Sequence, residues 1–120
     1  MIRTGAGLLA ALMLAAPALA QDREPLQRQT LNELAYVMGQ SHALRQVCQG
    51  ASDQFWRNRM SKLLQVETSD EAFDRGLREA FNTGYAAAQA QFPVCDGRSQ
   101  AEATRIARRG SSLAKTVGQN

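Results

Sequence analysis

Apolar residues recur along this chain at intervals of three and four. No segment sustains the two-residue alternation and the Val, Ile and Thr enrichment of strands, so the pattern predicts an all-α fold. The first helix is expected from about Leu26 to Cys48. It follows Pro25, whose fixed φ suits a first turn, and it carries Leu31, Leu34, Ala35, Met38, Leu44 and Cys48 along one side before Gly50 ends it. Ser52 and Asp53 offer side-chain oxygens to cap a short second helix, in which Trp56, Met60, Leu63 and Leu64 share a stripe that stops near Val66. Thr68 with Glu71 reads as a capping box for a third helix, along which Phe73, Leu77, Ala80, Phe81, Gly84, Tyr85 and Ala88 keep the helical spacing.

Pro93 and the pair Asp96-Gly97 break that pattern and predict a turn. Ser99 with Glu102 reads as a second capping box, and the stripe Ala103, Ile106, Ala107, Gly110, Leu113, Ala114 and Val117 runs on to Gly118. Short connections favour antiparallel neighbours, so the expected architecture is a small irregular up-and-down bundle of about four helices in one domain. The small residues of the fourth helix let it approach its neighbours closely, or leave a shallow groove for a helix of another molecule.

Ahead of this domain, Arg3 precedes an uncharged run from Thr4 to Ala16, Pro17 breaks it, and Ala18-Leu19-Ala20 has the small residues that signal peptidase requires. Residues 1–20 are therefore expected to be a signal peptide cleaved after Ala20, leaving a periplasmic domain over residues 21–120. The apolar run falls short of the roughly 20 residues that cross a bilayer, and no Cys stands at the cleavage point to carry a lipid.

Export changes the meaning of the two cysteines. In an oxidising compartment, Cys48 and Cys95 point to a disulfide bond, worth about 4 kcal/mol in the chain-entropy model for a loop of that length. The formal charge of +3 falls to +2 once Arg3 is removed, and it is unevenly spread. Arg98, Arg105, Arg108, Arg109 and Lys115 face Glu102 alone, a candidate basic surface. In an exported protein such a surface suits an envelope protein, a cell-wall polymer or an anionic membrane rather than nucleic acid.

Catalytic chemistry finds little material. His42 is the single histidine and lies on the side of the first helix that packs; Ser41 points about 100° away from it, so the two make no nucleophile and base pair. One His, two distant Cys and scattered carboxylates lack metal-ligand spacing, and no cofactor is expected. Asp70, Glu71 and Asp74 stand where a helix dipole already favours negative charge. Polar residues embedded in the apolar stripes remain: His42, Arg45, Trp56, Arg57, Asn82 and Tyr85. They are read either as one buried network, with Glu33, Glu67 or Glu79 supplying a carboxylate, or as a polar pocket for a small ligand.

The same positions carry a resemblance. Met38-Gly39-x-x-His42-x-Leu44-Arg45-x-x-Cys48, then Gln54-x-Trp56-Arg57-x-x-Met60, then Phe81-Asn82-x-Gly84-Tyr85 and finally Cys95 resemble the signature of a family of small, secreted, two-cysteine alphaproteobacterial proteins catalogued as a domain of unknown function. The resemblance implies secretion and a bridge between the two cysteines, and it carries over no activity. The expected function is accordingly a non-enzymatic interaction or regulatory module of the cell envelope. A small-molecule binding module around His42 and Arg57, and a cell-wall hydrolase with an unrecognised site, are the alternatives.

Overall fold

The computed structural model describes residues 23–67 and 70–118, and among these it holds four helices and no strand: α1 (Pro25–Gln49), α2 (Phe55–Glu67), α3 (Glu71–Gln91) and α4 (Gly97–Gly118). The expected signal peptide with its cleavage point, and Thr68, lie outside the described residues. α1 begins with Pro25 in its first turn and a reciprocal cap between Glu24 and Gln27, and it ends at Gly50, whose φ of 111° is a conformation that side chains resist.

The bundle is organised around α1. α2, α3 and α4 each pack on it and α2 meets α3 at one margin, whereas no Cα of α4 comes within 8 Å of one in α2 or α3. One part of the core joins Leu31, Ala35 and Met38 to Met60 and Leu64 of α2 and to Phe73, Leu77 and Phe81 of α3. Another, nearer the disulfide, joins Val37 and Leu44 to Ala88 and Ile106. The stripes read from the sequence do this packing, except that Cys48 on α1 and Ala107 and Ala114 on α4 stay exposed.

α1 and α3 cross backbone to backbone. A Cβ placed on Gly39 would lie 1.9 Å from the carbonyl oxygen of Phe81, and one on Gly84 would lie 2.0 Å from that of Tyr36. Two glycines facing each other's helix thus set the depth of the crossing, which lets Leu77 and Phe81 reach the core. The expected bond between Cys48 and Cys95 is present, with Cα atoms 5.0 Å apart, and it ties the last turn of α1 to the connection between α3 and α4.

Two caps differ from the sequence reading. α3 is capped by Asp70, which accepts from the Phe73 amide at 2.6 Å; that bond and the guanidinium of Arg28 hold its carboxyl below the usual carboxylate range. α4 starts three residues earlier than a Ser99 cap would allow. Asp96 accepts from the Ser99 amide and Ser99 Oγ accepts from the Asp96 amide, both at 2.9 Å, so Ser99 is the third position of the box and Asp96 its cap. Glu102 is left to pair with Arg105, whose hydrogen bond lowers its pKa.

At the opposite end from the disulfide, Arg23 clamps Glu67 through two hydrogen bonds of 2.9 Å, with side chains only 13% and 6% exposed. Arg23 precedes α1 and has water within reach if released, whereas Glu67 is held in the last turn of α2. Arg23→Ala is therefore expected to cost more than Glu67→Gln, on the order of 3 kcal/mol against 1 kcal/mol, because only the first strands a buried charge. Urea titration of both variants measures the difference, and equal losses would contradict it.

Candidate functional site

The six polar residues singled out from the sequence do not converge on one point. His42 is 3% exposed and stacks in tilted fashion on Phe81 and Tyr85, with ring centroids 5.7 and 5.2 Å away, and its Nδ1 has no hydrogen-bond partner. Arg45 turns outward to Asp53, with Nε 3.0 and 2.9 Å from the two carboxylate oxygens, and lies over the Phe55 ring at 4.5 Å. Asp53 also accepts from the Phe55 amide at 3.2 Å, which is the capping role expected of it. Arg57 and Asn82 are exposed and line a separate hollow of about 140 Å³ between α2 and α3. Trp56 faces a different cavity.

The residue that joins the parts is Gln46. Its amide nitrogen donates to the carbonyls of Ala51 and Asp53 at 2.9 and 3.2 Å, and its oxygen accepts from the Tyr85 hydroxyl at 2.6 Å. It stitches the α1–α2 connection to α3. Sequence reading missed it, although its place four residues after His42 puts it one turn along the same face.

Burial pushes the His42 pKa down, the charge of Arg57 pushes it further, and Asp53 opposes both. A histidine with a folded pKa below its unfolded value of about 6.5 gives the unfolded chain the greater proton uptake, so stability rises with pH across that interval. The contribution is complete above the unfolded pKa and fades as pH falls toward the folded one. Because His42 is the single histidine, the denaturation midpoint should drop between pH 7 and pH 5, and His42→Leu should flatten that slope. A wild-type midpoint constant over this range would contradict the assignment.

A larger feature follows from α2 and α4 not meeting. Between them, over a floor of Leu34, Val37 and Met38 from α1, runs an apolar hollow of about 550 Å³ walled by Trp56, Leu63 and Val66 on α2 and by Ala107 and Ala114 on α4. A second hollow of about 320 Å³ shares Ser41, Trp56 and Ala107 with it and extends the groove toward the disulfide, past Ser99 and Ala103. Arg45, Arg59 and Lys62 line the two hollows, and no acidic side chain does. Arg59 is held over the rings of Phe55 and Trp56 at 4.4 and 5.6 Å.

Residues 25–120 match the family described as protein of unknown function (DUF2385). The chain belongs to this family. The match covers the whole helical domain of this DUF2385 protein, including both cysteines, the two crossing glycines and the groove. No curated protein and no solved structure matches the chain.

The basic residues of α4 divide into two sets. Arg98 lies over the Phe92 ring at 5.3 Å, Arg105 pairs with Glu102, and Arg109 reaches Glu33 of α1 at 3.6 Å. Arg108 and Lys115 point away from the buried Ile106 and Val117, toward solvent. The helix that was read as one basic surface therefore spends three of its five cations on contacts within the chain. Among the described residues, no group of three or more His, Cys, Asp or Glu side chains gathers where a metal ion would bind, and no helix is long and apolar enough to cross a membrane.

Proposed function

We propose that this protein is an exported, non-enzymatic interaction module of the cell envelope whose working surface is the groove between α2 and α4. The observation that carries the reading is the groove itself. It is apolar, it has cations at its rim, and it is open because α2 and α4 stand apart over α1. Apolar surface left uncovered in this way is costly to keep in water and marks a place where a partner is buried. Export is supported by the leader-like residues 1–20 and by the bridged cysteines, which suit an oxidising compartment.

The small-molecule reading around His42 and Arg57 draws less support, since His42 is enclosed by aromatic rings while Arg57 opens onto another hollow. For the hydrolase reading, two carboxylates are already engaged, Asp53 with Arg45 and the Phe55 amide and Glu67 with Arg23.

The test uses 1-anilinonaphthalene-8-sulfonate, an anionic apolar probe, on protein recovered from the periplasmic fraction. Its fluorescence should rise on the wild-type chain and stay low on the pair Ala107→Phe and Ala114→Phe, which fills the groove from exposed positions, with helicity unchanged. Equal fluorescence from both proteins, or recovery of the chain only from the cytoplasm, would overturn the proposal.

A further inference from the structure

We infer that the groove receives an amphipathic α-helix with acidic flanks, contributed by a different protein; this rests on the reading of the groove as the working surface. The first support is dimensional. The two continuous hollows follow α4 from Gln100 to Ala114, a run of about 21 Å at 1.5 Å per residue, which is the length of a four-turn helix. Such a helix would lie against α1 at its base and between α2 and α4 at its sides, supplying the contact these two lack. Ala107 and Ala114 sit one heptad apart on α4 and are exposed, so their small size is not imposed by packing within the chain and leaves room for an approaching backbone.

The second support is electrostatic. Arg59 and Lys62 are one helical turn apart on the α2 wall and neither pairs with a carboxylate among the described residues, whereas Arg45, at the disulfide end, is already paired with Asp53 and stands outside this row. A helix whose apolar stripe faces α1 would present its flank to this row, and Asp or Glu there would meet unpaired cations. The same charges argue against a second copy of this chain. On α2 and α4 its outward faces carry Arg57, Arg108 and Lys115, and α3, which sets Glu71 and Glu79 beside Arg75 and Arg78, exposes no large apolar side chain that could lie in the groove. A single acyl chain is a poorer occupant, because the outer side of the groove is exposed, Val66 at 54%, and would leave the chain half wet.

Ribosome display tests the inference on the full disulfide-bonded protein. The library consists of 18-residue helical peptides with a fixed apolar stripe and flanks randomised among Asp, Glu, Lys and Arg. Selection should enrich Asp and Glu on one flank, the selected peptides should shift the amide resonance of Gly110 and the indole of Trp56, and Arg59→Glu with Lys62→Glu should weaken them at least tenfold and select basic flanks instead. Enrichment of basic or mixed flanks would overturn the inference. So would a library without winners together with sodium laurate displacing anilinonaphthalenesulfonate, an outcome that assigns the groove to an acyl chain and leaves it as the working surface. Failure of peptide, laurate and the probe alike would overturn the groove reading itself.

Discussion

Gly84→Ala should lower the melting temperature by roughly 8–16 °C, a large effect for a single added methyl. The added carbon would stand 2.0 Å from the Tyr36 carbonyl oxygen, against backbone that has no rotamer to turn away. α3 must then lift off α1 and loosen Leu77 and Phe81, both buried in the core they share. Overpacking of this kind costs about 3 kcal/mol or more, well above the ~1 kcal/mol that alanine gains over glycine inside a helix. At about 4–8 °C per kcal/mol for a domain of this size, a net loss of about 2 kcal/mol corresponds to roughly 8–16 °C. Gly76→Ala is the internal control. It lies in the same helix, its new carbon would meet Asn32 Oδ1 at an ordinary 3.6 Å, and it should stabilise the protein by about 0.5–1 kcal/mol. Thermal unfolding of the two variants side by side decides the matter, since a merely propensity-driven helix would give both the same sign.

Cys95→Ser is expected to cost more still. The bridge closes a loop with a sequence separation of 47, and its removal frees the unfolded chain by about 4 kcal/mol in the loop-entropy model. Against the 5–15 kcal/mol typical of whole domains, that is a large share. Both half-cystines are exposed, so the serine itself meets water and adds no burial penalty. Guanidinium titration should show a midpoint well below that of wild type, and the wild-type protein treated with reductant should converge on the same value. A variant as stable as wild type would mean that the helices alone hold the unfolded chain's entropy in check. Mass spectrometry before and after reduction provides the companion measurement, with a gain of about two hydrogens per chain expected.

The apolar stripes were legible because each helix follows one period, and Phe73, Leu77, Phe81 and Ala88 are buried as that period requires. The caps were less so, since Asp96 and Ser99 both have the chemistry of a cap and only the path of the chain decides which one leads. Arg45 and Arg57 were misplaced by the same stripes. A long side chain whose Cα lies near an apolar face carries its charge outward along its stem, and Asp53 waited at the end of that reach for Arg45. Gln46 escaped attention because an amide without charge gives no signal until its three partners are in position. The groove was half legible: the small residues of α4 marked one wall, but that α2 stays away from it is a fact of tertiary arrangement that no local pattern encodes.

The central position of α1 has a consequence for how the chain is made. The helix that every other element needs leaves the ribosome first, and its chief partner, α3, follows about 45 residues later. At about 5–20 residues per second, that delay is roughly 2–9 s, during which Leu31, Ala35 and Met38 lack the cover of Phe73, Leu77 and Phe81. A nascent chain of this design is a natural client for a holding chaperone.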